Sequence, residues 1–184
     1  MRTDSGHGRL LEKLYLNDDG LSDVTIYCED KIFKCHKVIL GGQSKVFKNM
    51  LFDSNMVEAT SGEIKIVDTP VNAMKNLLFF IYHENVDDAM ITHDLLVAAD
   101  YYDIPDLVNI CVNFMKENLN DENVVQFMTS AYLTNQKELF RMACKFVFKR
   151  GADDQIVQIE AWKEFKEKDP VLANKMLEEA MFKL

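Results

Sequence analysis

From residue 22 onward the chain alternates apolar and polar positions with a period of two, then shifts to helical spacing. Val24, Ile26 and Cys28 alternate with Thr25 and Tyr27, the pattern of a half-buried strand. Glu29-Asp30 turns the chain into a second strand over 31–35. Lys37 to Leu40 reads as a short apolar helix, stopped by Gly41-Gly42. Ser44 is placed to cap a further helix whose inward face is Val46, Phe47, Met50 and Leu51. Ser61-Gly62 marks a turn into a third strand, Ile64 to Val67.

Thr69-Pro70 carries the cap-then-proline signature of a helix start, and Met74, Leu77, Leu78, Ile81 and Tyr82 line one face behind it. Thr92 opens a helix holding Leu95, Leu96, Ala98 and Ala99. Pro105 starts another, with Leu107, Val108, Cys111, Phe114 and Met115 inward. From about residue 121 the pattern is purely helical: 123–132, then a helix to Val147 opened by Asn135 with Glu138 as a cap pair. Two more helices are expected, one near 153–166 and one from Asp169-Pro170 to the C-terminus. At the other end, Leu10, Leu11, Leu14 and Leu16 stand at near-helical spacing over 9–16. So short a helix is unstable alone, and its apolar face needs a partner.

Composition narrows the function classes. A hydrophobic share of 48% in 184 residues supports a buried core and excludes disorder. The net charge of −9, spread along the chain, speaks against nucleic acid, which needs a clustered basic face, and against an anionic membrane surface. No apolar run is long enough to span a bilayer. Residues 1–8 lack a signal core and read as a flexible leader. Cys28, Cys35, Cys111 and Cys144 are scattered, without C-x-x-C spacing. Reduced structural thiols in a nuclear or cytoplasmic protein are the expectation.

Candidate chemistry is sparse. Asp23 and His36 flank the hairpin, and with Cys35 nearby they invite a nucleophile reading. Neighbouring strand residues point to opposite faces, however, so Cys35 and His36 diverge. Asp23 and His36 are expected to form a structural polar pair. Cys28, Cys35 and His36 lack a second pair at zinc spacing, and Gly41-Gly42 lacks the Lys-Ser/Thr of a phosphate loop. No metal, no cofactor and no catalysis are expected.

The order of Ser22-Asp23-Val24, Phe33-x-x-His36-Lys37-x-x-Leu40, Ser44-x-Val46-Phe47-x-x-Met50, Leu77 to Tyr82 and Leu95-Leu96-x-Ala98-Ala99-Asp100-x-Tyr102-x-Ile104-x-x-Leu107 resembles the BTB/POZ family over roughly 21–118. The resemblance implies an α+β fold, a small three-stranded sheet flanked by helices, over residues 9–120. Residues 121–184 resemble the 3-box and part of the BACK helical region. Within the family the likeness is to the speckle-type POZ group, whose members carry a substrate-binding MATH domain ahead of the BTB. Only a short stretch precedes the domain here, so a MATH domain is not expected; an excised fragment and a natural BTB–BACK chain both fit. One departure is His83-Glu84-Asn85, where a Thr-Gly-like turn is usual.

Family membership implies two binding activities. The first is a homodimer, with Leu10, Leu11, Leu14, Ile39 and Val46 near its interface; ordinary core packing is the alternative for each. The second is recruitment of a cullin scaffold of the cullin-three class, through a hydrophobic-x-Glu tripeptide matched by Met56-Val57-Glu58. An exposed Met offers a flexible apolar plug and Glu58 a charge to fix orientation. Asn118-Leu119-Asn120 is a secondary candidate for that contact, with solvated loop as its alternative. The implied function is an adaptor in a cullin-RING ubiquitin ligase. Its unknown protein substrates would bind through a missing or separate domain. An oligomerisation module of a transcriptional regulator or cytoskeletal scaffold is the rival.

Overall fold

A computed structural model describes Tyr15, residues 20–148 and residues 160–183. Leu10, Leu11, Leu14 and most of the expected 9–16 helix lie outside the described residues. The chain divides into two compact units, one up to Val108 and one from Asn109 onward.

The period-two stretch forms strand β1 (Val24–Cys28), which buries alternate residues as its pattern predicts. Glu29, at φ 51°, turns the chain into β2 (Lys31–Cys35), antiparallel to β1 with Ile26 opposite Phe33. The third strand, β3 (Glu63–Ile66), runs parallel to β1, giving the order β2-β1-β3. It begins and ends one residue earlier than the sequence suggests. Val67 is 84% exposed, so the alternation had already broken there.

Parallel strands cannot be joined by a tight turn. The crossover here is three helices, α1 (Lys37–Gln43), α2 (Lys45–Phe52) and α3 (Val57–Ser61). Gly41-Gly42 does not stop α1, which runs through both to Gln43. Gly41 serves close approach instead: a Cβ there would lie 2.7 Å from Cε2 of Phe52. The stop comes one turn later, and Ser44 both ends α1 and caps α2, its hydroxyl accepting from Phe47 N–H. Phe47 and Leu51 are buried, while Val46 and Met50 are only half-buried.

Helix α4 (Val71–His83) buries Met74, Leu77, Leu78, Ile81 and Tyr82 as expected, together with Ala73 and Phe80. Thr69 does not cap it. The free N–H of Val71 is taken by the Glu29 carboxylate from the hairpin turn, at 3.1 Å. After a 3-10 turn at Asp88–Met90 come α5 (His93–Tyr101), capped by the Thr92 hydroxyl, and α6 (Pro105–Glu117). The sheet, its crossover helices and α4 and α5 together make the expected α+β architecture.

The second unit is helical. It contains α7 (Val124–Leu133), α8 (Lys137–Phe148), α9 (Glu160–Lys168) and α10 (Pro170–Lys183). Leu139, Ala143, Cys144 and Val147 repeat on the buried face of α8. Asn135 and Glu138 do not make a capping box. Asn135 takes φ 54° in the turn, and Glu138 pairs with Lys116, which holds its carboxyl below the usual range. Asp169 caps α10 by accepting from Leu172 N–H at 2.9 Å. The helix expected near 153–166 is seen from Glu160, and residues 149–159 lie outside the described set.

Ser44 is buried and doubly engaged, since its hydroxyl also donates to the Tyr102 carbonyl at 2.6 Å. Ser44→Ala removes a cap and strands a buried carbonyl. Urea unfolding should show a loss of about 2 kcal/mol with an unchanged m-value.

Candidate protein-interaction surface

The chain leaves β2 for α1 at a corner where two backbone N–H groups have no partner in their own helix. Both are satisfied by side chains from elsewhere. Lys37 N–H donates to Asp23 Oδ1 at 2.7 Å, and His36 N–H donates to the Tyr82 hydroxyl at 3.1 Å. That hydroxyl also lies 2.9 Å from His36 Nδ1. Asp23 and His36 are thus neighbours in the corner but not a hydrogen-bonded pair. The Asp23 carboxylate serves the helix start, and the imidazole turns inward to α4. The other imidazole nitrogen, Nε2, is buried without a hydrogen-bond partner among the described residues.

From this corner the crossover helices carry an exposed apolar shelf. Phe52 closes α2 with its ring over Gly41, yet the side chain is 57% exposed. The following loop is tied by Asp53, whose carboxylate accepts from both the backbone and the side-chain nitrogen of Asn55 at 3.0 Å. Met56 N–H then donates to the Asp53 carbonyl at 3.0 Å. Met56 is 37% and Val57 76% exposed, and Glu58 is half-buried in the first turn of α3.

The tripeptide therefore straddles a helix start, with Met56 at the cap position, rather than lying in open loop. Helix α3 is tied at its middle and at its C-terminal end. Lys37 Nζ donates to the Ala59 carbonyl at 2.9 Å. Gly62, at φ +68°, ends the helix where a Cβ would meet the Asp23 carbonyl at 3.1 Å.

The described dimer candidates sit beside this shelf on the same crossover. Ile39 on α1 and Val46 on α2 are half-buried, and Val38 next to Ile39 is 74% exposed. Sequence reasoning missed Val38 and Phe52. Phe52 falls one position past the buried Phe47–Leu51 spacing, and a glycine inside a helix was the available sign that something packs against it.

In the second unit, Asn118-Leu119-Asn120 shapes the turn between α6 and α7. Asn118 Nδ2 donates to the Phe114 carbonyl at 2.9 Å. Asn120 Oδ1 accepts from the N–H groups of Glu122 and Asn123, at 2.9 and 3.1 Å. The side chain of Leu119 is half-buried. Both asparagine side chains thus already serve the local backbone.

Little in the described residues is arranged for chemistry. Burial pushes the Cys35 thiol up to about 12, against a smaller downward pull from its contact with the Tyr82 hydroxyl. A thiol so protonated is a poor nucleophile. Burial also raises Cys28, and it carries Cys111 to about 12. Among the described residues no group of three His, Cys, Asp or Glu side chains is placed to hold a metal ion. No described helix is long and apolar enough to cross a membrane.

A family model for the BTB/POZ domain matches residues 11–119. The chain is 31% identical over 147 residues to a BTB/POZ domain-containing protein of Arabidopsis thaliana, covering 78% of this chain and 43% of that protein. It is 27% identical to BTB and MATH domain-containing protein 42 of Caenorhabditis elegans, over 88% of this chain and 40% of that one. With the human Kelch repeat and BTB domain-containing protein 4 the identity is 29%, over 83% and 28%. The chain spans less than half the length of each of these relatives.

Two outcomes follow from the corner and the thiols. Tyr82→Phe leaves the His36 N–H buried without its acceptor and should cost about 2–3 kcal/mol in urea unfolding. With their pKa values raised, Cys28, Cys35 and Cys111 should resist a thiol-labelling reagent at neutral pH in the native protein and react once urea unfolds it. Fast native labelling of Cys35 would contradict the burial argument.

Proposed function

Because the chain belongs to the BTB/POZ domain family, a family of protein-interaction modules, we propose that it acts as a homodimeric adaptor that recruits a cullin scaffold of the cullin-three class for ubiquitin ligation. Residues 121–184 are read as the 3-box and part of a BACK region, in the manner of the speckle-type POZ group. The observation that carries the cullin reading is the shelf of Phe52, Met56 and Val57 with Glu58 beside it.

Three physical features support it. The shelf offers apolar area that a partner can remove from water, and a Met that can adapt to a pocket. The Glu58 carboxylate provides a charge that fixes orientation and favours a basic partner. The ties from Asp53, Lys37 and Gly62 hold the tripeptide in place, so little conformational freedom is lost on binding.

Dimerisation is supported by the exposed Val38 beside Ile39 on α1. A dimer would present two scaffold sites and gain avidity, with ubiquitin transfer carried out by the recruited subunits. Substrate choice falls to another domain. In two of the relatives the names record MATH or Kelch repeats beside the BTB.

Calorimetry of the chain against the N-terminal region of a cullin-three-class scaffold tests the reading. The double variant Met56→Ala/Glu58→Ala should bind about thirtyfold more weakly or worse, with its own oligomeric mass unchanged. Equal binding by the variant refutes the site. A parent chain that dimerises but binds no cullin refutes the function and leaves the oligomerisation module. Val38→Asp should shift the light-scattering mass toward monomer, and an unchanged mass removes α1 from the interface.

A further inference from the structure

The sheet ends in an edge that is self-complementary. The hydrogen bond from Thr25 N–H to the Gly62 carbonyl, at 2.8 Å, fixes which groups of β3 face β1. In a parallel ladder with Thr25 opposite Glu63, Gly62, Ile64 and Ile66 direct their backbone groups to β1. Glu63 and Lys65 therefore direct theirs outward, along the side of β3 that carries no strand among the described residues. Their side chains are exposed, whereas Ile64 and Ile66 are buried.

An unpaired edge is a template for another strand. The charges on this one choose both the partner and the register. We propose that β3 pairs antiparallel with β3 of a second copy of this chain, centred on Ile64, so that Glu63 of each copy lies opposite Lys65 of the other. In that register the outward groups of Glu63 and Lys65 exchange two hydrogen bonds at each end of the pair. The non-hydrogen-bonded position falls on Ile64, as antiparallel alternation demands. Shifting by two residues one way sets Lys65 against Lys65, and the other way sets Glu63 against Glu63. Like charges directly opposite are destabilising, so one register is favoured and both neighbours are disfavoured.

The pairing has local competitors at Glu63. The Ser61 hydroxyl accepts from Glu63 N–H at 3.1 Å and must release it for the full set of bonds to form. The same hydroxyl lies 3.5 Å from the Glu63 carbonyl, and the Tyr27 hydroxyl donates to the Glu63 carboxylate at 3.3 Å. Among the described residues no side chain competes for the outward groups of Lys65, which makes them the first to pair. This contact uses the sheet edge, whereas the dimer proposed above uses α1. The two can coexist, which would join dimers into larger assemblies.

Charge reversal and charge exchange on the full chain provide the test, read by sedimentation velocity across a wide concentration range. Wild type should show concentration-dependent association that weakens with salt. Lys65→Glu should weaken it by about tenfold or more, and Glu63→Lys/Lys65→Glu should restore it, because the exchanged pair is again complementary. Hydrogen exchange gives an independent readout: the Lys65 amide should slow at high concentration in wild type and in the exchanged variant, but not in Lys65→Glu.

Absence of association in wild type overturns the proposal. So does association unaffected by Lys65→Glu, or a Lys65 amide whose exchange ignores concentration. Circular dichroism of each variant identifies any loss of fold. Should Lys65→Glu unfold, the amide readout on wild type alone decides. Retained edge pairing in Val38→Asp would separate this contact from the α1 dimer.

Discussion

The first unit turns on a corner whose two helix-starting N–H groups are satisfied from outside the helix. Tyr82, deep in α4, accepts from His36, and Asp23, just before β1, accepts from Lys37. A helix start left bare in a buried place is costly, so these contacts fix the direction in which α1 leaves the sheet. Direction then propagates. Ser44 ends α1, begins α2 and bonds the Tyr102 carbonyl, so α2 has little freedom once α1 is set. Helix α3 is tied back to the corner by Lys37 and by the close approach of Gly62 to Asp23.

That dependence explains why the exposed residues can be apolar without being loose. Phe52, Met56 and Val57 project from a backbone tied by the Asp53–Asn55 and Asp53–Met56 bonds and by Lys37. Burial and exposure are divided between neighbouring positions of one crossover. Phe47 and Leu51 face the core, and Phe52 closes the same helix facing water. Substitution on the exposed side leaves the core unaltered, the usual arrangement where a rigid scaffold presents a binding segment.

The sequence disclosed what local periodicity and capping chemistry control. The two strands of the hairpin, the Ser44 and Thr92 caps, and the inward face of α4 stand where the pattern places them. Failures occurred where a distant side chain replaced a local signal. Thr69 looked like a cap, but Glu29 from the hairpin turn does that work; Asn135 and Glu138 looked like a box, but Glu138 is taken by Lys116. Gly41-Gly42 looked like a stop, because the ring that makes glycine necessary at 41 lies on the next helix. The Asp23–His36 pair failed for the same reason, since each found a better partner across the corner. The Met56-x-Glu58 motif was read from its position and stands as a proposal; the exposure of Phe52 and Val38 was not legible, because exposure of an apolar residue is a tertiary property.

The parallel pairing of β1 with β3 also sets an order of events. The hairpin of β1 and β2 is local and can close within microseconds of the two strands becoming free. The second ladder of β1 must wait for the whole crossover, α1 through α3, to be present. On a chain emerging from the ribosome, the central strand is therefore half-paired until Ile66 is out. During that interval it is the β1 edge, with Ile26 and Cys28 unburied, that is open to wrong partners. The crossover helices are thus the slow, non-local step of the sheet, and the segment that displays the exposed apolar shelf also times the folding.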